Sequence, residues 1–311
     1  MAEAEKMAYI FPGQGAQYVG MGKDLYDGFS SAKAVFRQAD KAVGFALSEL
    51  CFEGPENELK KTVNAQPAIV TISLALLAAM RDTYVVKSLP SPSLVAGHSL
   101  GEYTALAAAG VVDFASAIFL TRKRGELMHQ AGQQNPGAMA AIIGLEEAVL
   151  ADICSQTKAK IANINCPGQL VISGREECVN AASTAAEEKG ARRIVQLQVS
   201  GAFHTESMQP AVEGLAEAIA GITFNDAQIP IVANTSATEI TATVDIKNEL
   251  LNQLCHSVQW QRSMEYMING GVTSFIEIGP GRVLSGLMRR INRGVKAINI
   301  GDAEAVRNLQ Q

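Results

Sequence analysis

The stretch LVAGHSLGEYTALAAAG, residues 94–110, decides how the rest of the chain is read. Leu94 to Gly97 predict a short buried strand, and EYTALAAAG predicts a helix. Between them lies G-x-S-x-G, with Ser99 flanked by Gly97 and Gly101. A strand, a sharp turn carrying serine and a helix form the local setting of a nucleophile elbow. The same serine would equally serve as a plain helix N-cap. A free serine hydroxyl is a weak nucleophile and needs an adjacent base. A helix start offers backbone N–H groups to an oxyanion.

The base must come from four histidines. His98 adjoins Ser99 and would have to bend back on itself. His129 ends a charged helix, where the dipole favours a cation. His204, in QVSGAFHTE, follows a predicted strand, and strand ends in α/β folds point into ligand crevices. His256, in LCHSVQW, is an equal rival by position alone.

Helical spacing places Ala117, Thr121, Arg124 and Met128 on one mostly apolar stripe, with Arg122 and Lys123 turned away. A guanidinium on such a face needs an anion. The partner is either an internal carboxylate, Glu102 or Glu126, or a substrate carboxylate held by the arginine fork. The loop FPGQGAQ, residues 11–17, offers backbone N–H groups but lacks the G-K-[ST] of a phosphate loop.

The 311 residues allow one large domain or two smaller ones. Residues 8–11, 94–97, 229–234 and 273–279 read as strands between helices, giving α/β character. The helix beginning at residue 113 ends in AGQQNPG, read as a linker. From 138 the order becomes β-α-β-β-α-β, with ARRIVQLQVSG as the last strand, which is a ferredoxin-like signature. Residues 132–201 are therefore expected to form a small domain inserted in a larger one comprising 1–131 and 202–311. SLPSPS, residues 88–93, breaks the chain before the elbow strand.

A net charge of −5 argues against broad nucleic-acid or membrane-surface binding. Five cysteines, with no C-x-x-C, suit free thiols in a reducing compartment, so a cytoplasmic protein is expected. No H-E-x-x-H points to a metal. PAIVTISLALLAAM, residues 67–80, is too short to span a bilayer and suits a buried helix.

Taken together, these motifs resemble the malonyl-CoA:acyl carrier protein transacylase family, which includes the acyltransferase domains of fatty acid and polyketide synthases. The likeness rests on FPGQGAQ (11–17), QPA (66–68), GHSLGEY (97–103), RGELM (124–128), NINCPGQLVISG (163–174), GAFH (201–204), SVQW (257–260) and EIGPGRVLSGL (277–287). They run in family order along nearly the whole chain.

The resemblance implies an α/β-hydrolase-like large domain with a ferredoxin-like insert. It implies Ser99 as the acylated nucleophile, His204 as the base and Arg124 as the clamp on the malonyl carboxylate. The amides of Gln14 and Leu100 would form the oxyanion hole, and a main-chain carbonyl matched to Gln259 would orient the histidine. Gln66 and Met128 fall in matching motifs on the substrate side. Asn163, Asn165 and Arg193 match positions near the thioester carrier. Phe203 would fill the space of an α-methyl group. Substrates would be malonyl-CoA and the phosphopantetheine thiol of acyl carrier protein, with no metal or redox cofactor and a monomeric enzyme.

An acidic carrier would need a local basic patch. Arg289, Arg290, Arg293 and Lys296 on a C-terminal helix are candidates, as are Lys189, Arg192 and Arg193. Rival readings are a serine hydrolase and a non-catalytic docking module. Fatty acid synthesis is the pathway expected, with service to a polyketide synthase as the alternative.

Overall fold

The structure, a computed structural model, describes residues 6–83 and 91–309. Among them the strands are, in chain order, β1 (Lys6–Phe11), β2 (Leu94–Gly97), β3 (Ala138–Ile143), β4 (Lys160–Cys166) and β5 (Gln169–Gly174). β6 (Arg193–Gln196), β7 (Ile231–Val232), β8 (Glu239–Ile240), β9 (Val272–Ile278) and β10 (Lys296–Ile300) follow. They form two sheets, so the protein is mixed α/β.

The larger sheet has the order β10-β9-β1-β2-β7-β8. Its first five strands are parallel, and β8 pairs antiparallel to β7 at the edge. β1 alternates strictly in what it buries. Tyr9 and Phe11 enter one hydrophobic cluster, while Ala8 and Ile10 enter another on the opposite face. A strand covered on both faces needs this near-continuous apolar run, which YIF and LVA supply. Because the strands run in parallel, the loops after β1, β2 and β7 emerge at one edge. Those loops carry Gln14, Ser99 and Asn234. The carboxyl edge of a parallel sheet is where such folds bind ligands.

The smaller sheet is antiparallel, in the order β4-β5-β3-β6. Ile142, Leu170 and Ile172 pack against Leu150, Ile153 and Val179 of two helices, Glu147–Thr157 and Glu176–Glu188. The two sheets are tied together through the SVQW segment. Val258 bridges Asn163 of β4 in parallel; its N–H donates to Ala162 O at 2.8 Å, and its carbonyl accepts from Ile164 N at 2.9 Å. Arg262 grips both oxygens of Glu147 at 2.8 and 2.9 Å.

Several sequence expectations need correction. Residues 131–134 belong to the helix Phe114–Gln134 rather than to a linker. Gly132 is there for packing, since a Cβ on it would lie 2.1 Å from Ser200 O. The strand expected through 191–201 pairs only over Arg193–Gln196, and the one expected over 229–234 only over Ile231–Val232. Arg293 and Lys296 are not helical: the helix Val283–Ile291 ends, Asn292 Oδ1 accepts from Gly294 N at 2.7 Å in a turn, and Lys296 opens β10. Arg290 is engaged with Gln169 Oε1 and Pro167 O. The SLPSPS break lies partly outside the described residues.

PAIVTISLALLAAM falls inside the helix Thr62–Thr83. That helix is long and apolar enough to cross a membrane by composition, but 83% of its apolar window is buried inside the protein. All five cysteines are unpaired, and four of them are buried.

Gly97 and Gly101 are required by close approach. A Cβ on Gly97 would sit 1.9 Å from Gly101 C, and one on Gly101 would sit 2.3 Å from Phe11 O. Gly97→Ala is accordingly expected to lower unfolding stability by about 3 kcal/mol, the upper range for overpacking, measurable by urea denaturation. A change below about 0.5 kcal/mol would show that the elbow yields without strain.

Candidate active site

The turn between β2 and the helix Gly101–Ala108 puts Ser99 in the left-handed region, with φ 50. A non-glycine residue holds that conformation only when its surroundings over-determine it. Here both backbone groups of Ser99 are held. Its N–H donates to Asn234 Oδ1 at 2.7 Å, and its carbonyl accepts from Gln253 Nε2 at 3.0 Å.

Ser99 Oγ lies 3.0 Å from His204 Nε2. His204 Nδ1 lies 2.8 Å from the Gln253 carbonyl, which can only accept, so Nδ1 carries the hydrogen. Nε2 is then bare and faces the serine hydroxyl as a proton acceptor. His204 also has positive φ, at 60. Burial, and then the Arg124 charge, pull its pKa down to about 3, so the ring is neutral at ordinary pH. His256 is exposed, and its Nδ1 lies 2.8 Å from Asn252 O.

The carbonyl that orients His204 is that of Gln253, not Gln259. Gln253 stands in the last turn of the helix Thr243–Cys255, whose final carbonyls have no intrahelical partner. Gln259 lies beyond that helix, caps the next one (Trp260–Asn269) and donates its N–H to Asn234 O at 2.8 Å. Its side chain receives Arg262.

Arg124 is buried, at 1% exposure, and forms no ion pair among the described residues. Glu126, one candidate partner, is taken by Arg122 and Lys123. Arg124 Nη1 donates to Gln66 Oε1 at 2.9 Å, and Nη2 donates to Gln253 Oε1 at 2.8 Å and to Ser99 Oγ at 3.1 Å. Its Nε has no hydrogen-bond partner among the described residues. The guanidinium also lies 5.8 Å from the Tyr103 ring centre. A cation is thus kept beside the serine by neutral acceptors alone, leaving it able to take an anion.

These side chains open into a cleft of about 340 Å³ between the two sheets. Gln14, Gln66, Met128, Asn163 and Phe203 line it together with Ser99, Arg124 and His204. Gln14 Nε2 donates to Thr62 Oγ1 at 3.3 Å, and Gln66 Nε2 donates to Met128 Sδ at 3.5 Å. Leu100 N–H stands at the first turn of the helix Gly101–Ala108, where no intrahelical acceptor exists for it. Asn163 Oδ1 is buried without a hydrogen-bond partner among the described residues. Asn165 lies one layer back, with Oδ1 2.8 Å from His98 Nε2, and His98 itself lines the cleft. Arg193 is exposed at the far end of β6 and is not part of the cleft wall.

Sequence reasoning missed Gln253, Glu102 and Asn234 as members of this site. Nothing in spacing marks Gln253, because its contribution is half main chain. Glu102 falls inside GHSLGEY and was weighed only as an ion-pair partner for Arg124. Instead it accepts from Asn234 N, Asn234 Nδ2 and Gln253 Nε2.

Residues 8–311 match the family described as acyl transferase domain. The chain is 45% identical over 306 residues to the malonyl CoA-acyl carrier protein transacylase of Bacillus subtilis (strain 168), covering 97% of this chain and 95% of that protein. It is 42% identical over 311 residues to the enzyme of the same name from Staphylococcus aureus (strain MSSA476), covering 98% and 99%. The crystal structure of an acyl carrier protein S-malonyltransferase from Vibrio cholerae superposes with TM-score 0.91 at 39% identity, covering 98% of this chain and 99% of that one. A malonyl-transacylase solved in complex with a type II PKS acyl-carrier protein gives TM-score 0.91 at 39% identity, with 97% of each chain covered. With a matched family spanning nearly its full length, the chain belongs to the acyl transferase domain family.

Proposed function

We propose that this protein transfers a malonyl group from malonyl-CoA to the phosphopantetheine thiol of acyl carrier protein through a malonyl ester of Ser99. The observation that carries the reading is Arg124, a buried cation without a carboxylate partner, 3.1 Å from the serine oxygen. A malonyl thioester whose carbonyl carbon meets Ser99 Oγ would bring its free carboxylate to that guanidinium.

In the first half-reaction, the Ser99 proton moves to His204 Nε2 as Oγ attacks the thioester carbon. The tetrahedral oxyanion is received by the amides of Gln14 and Leu100. The C–S bond then breaks, and the His204 proton leaves with the coenzyme A sulfur. In the second, the pantetheine thiol gives its proton to His204 and its sulfur attacks the ester carbon. The C–O bond breaks, and the proton returns to Ser99. Phe203 beside the acyl pocket disfavours an α-methyl branch, worth about 1–3 kcal/mol. Asn163 Oδ1 serves the carrier arm, Asn165 acts from one layer back by holding His98, and Gln66 and Met128 shape the acyl end.

The strand orders support an α/β-hydrolase-like catalytic domain with a ferredoxin-like domain inserted in it, the insert beginning after the helix Phe114–Gln134 rather than at residue 132. The unpaired cysteines support a cytoplasmic setting. The carrier is proposed to be that of fatty acid synthesis. The relative solved with a type II PKS carrier protein supports a second reading, service to a polyketide synthase.

Incubation with malonyl-CoA alone should leave a malonyl mass adduct on Ser99, which either kind of carrier protein then discharges. Rapid hydrolysis without carrier would sink the transferase reading, and the faster-discharging carrier identifies the pathway.

The same geometry predicts a titration effect. Burial first and the Arg124 charge second lower the pKa of His204, so an acyl carboxylate that offsets the Arg124 charge should raise it. Histidine 15N NMR of Ser99→Ala should show the His204 pKa higher with malonyl-CoA bound than without. An unchanged pKa would place the carboxylate elsewhere.

A further inference from the structure

Glu102 is buried at 1% exposure, and no step above uses it. Its contacts converge on two amide side chains. Oε1 accepts from Asn234 N at 2.8 Å and from Asn234 Nδ2 at 2.9 Å, and Oε2 accepts from Gln253 Nε2 at 2.5 Å. Those two amides hold the Ser99 backbone, and Gln253 also reaches Arg124 and His204. Asn234 takes the Ser99 N–H on Oδ1 and donates Nδ2 to Gly97 O at 2.7 Å. Gln253 donates Nε2 to the Ser99 carbonyl, accepts Arg124 on Oε1 and gives its main-chain carbonyl to His204.

The polarity of this arrangement is over-determined. Arg124 can only donate, so it must face Gln253 Oε1; Ser99 O can only accept, so it must face Nε2. A carboxylate at 102 is the one group of that size offering acceptors to both amides at once. Three N–H groups aimed at it also leave no acceptor for a carboxyl proton among its contacts. Burial, followed by the nearby Glu249, raises its pKa well above the usual carboxylate range, and the donors from Asn234 and Gln253 offset only part of that; the three converging donors, which offer a proton no acceptor, are what favour the carboxylate.

Building on the reading of Ser99 as the acylated residue, we propose that Glu102 is a positioning residue for the transfer, whose carboxylate locks the Asn234 and Gln253 amides and through them sets Ser99, Arg124 and His204. A glutamine at 102 has the same size but the wrong polarity: its NH2 must meet either the Gln253 NH2 or the two Asn234 donors. An aspartate keeps both acceptors and loses one methylene.

The test compares wild type, Glu102→Gln and Glu102→Asp in the full chain. It measures the rate of Ser99 malonylation at saturating malonyl-CoA, KM, the His204 Nδ1–H resonance and the thermal midpoint. The glutamine variant should be slowed by roughly 10- to 100-fold, the range for losing a hydrogen bond to a charged group. Its Nδ1–H resonance should shift or broaden, and aspartate should be the faster of the two variants. A packing role would rank glutamine above aspartate. That order, or a wild-type rate in Glu102→Gln, overturns the proposal. If Glu102→Gln does not fold, Gln253→Met breaks the relay from its other end: KM should rise and the rate should fall together, and a wild-type rate there overturns the proposal instead. Absence of any malonyl adduct on the wild type would be a failure of the transferase reading, not of this one.

Discussion

Replacing His204 by alanine is expected to slow malonylation of Ser99 by roughly 10⁴- to 10⁶-fold, the span between a typical general base and the histidine of a serine triad. The argument is geometric first. Nε2 is the proton acceptor at the serine hydroxyl, 3.0 Å away, and its tautomer is fixed from behind by the Gln253 carbonyl. Among the described residues no carboxylate stands behind the ring, and the rival His256 is turned to Asn252. The loss should fall on the rate at saturating malonyl-CoA and leave KM little changed, because the clamp and the cleft remain. Single-turnover mass spectrometry of the acyl adduct reads both. A loss smaller than tenfold would remove His204 from the role of base.

Arg124→Ala should lower malonyl transfer by roughly 10²- to 10³-fold, the cost of taking one member from a buried charge pair. Acetyl transfer should change far less, since acetyl-CoA brings no carboxylate to the site and leaves the guanidinium uncompensated in wild type. Lysine should rescue poorly. The guanidinium spans Gln66, Gln253 and Ser99 with two nitrogens, and an ammonium point charge cannot hold that fork. Competition assays with malonyl- and acetyl-CoA check the ratio. Equal losses for the two acyl groups would exclude a carboxylate clamp.

What the sequence disclosed follows from where the chemistry is written. The elbow was legible because the side chain that reacts, the close approach at Gly97 and Gly101 and the strand-to-helix change all fall within a few residues. Arg124 was legible because a cation interrupts an apolar helical stripe. The choice between His204 and His256 needed either the family resemblance or three dimensions, since the pairing with Ser99 spans 105 positions. The support of His204 was misassigned to Gln259 because a main-chain carbonyl leaves no residue-type signature. Strand extents at 191–201 and 229–234 were overestimated for a related reason. β-branched residues mark a tendency to extend, while ladder length depends on which neighbour is present; past Val232 the chain turns to give Asn234 to Glu102.

The cysteines bear on the fate of the acyl group in the proposed reaction. The acceptors in this chemistry are thiols, and the form that attacks is the thiolate. In the proposed reaction, a cysteine thiolate of the protein would be a competing acceptor for a malonyl group held on Ser99. Burial raises the thiol pKa of Cys51, Cys154, Cys166 and Cys255, that of Cys154 to about 11. Burial thus holds these four sulfurs toward the unreactive thiol form, which on the proposed reaction favours the sulfur that arrives on the carrier as acceptor.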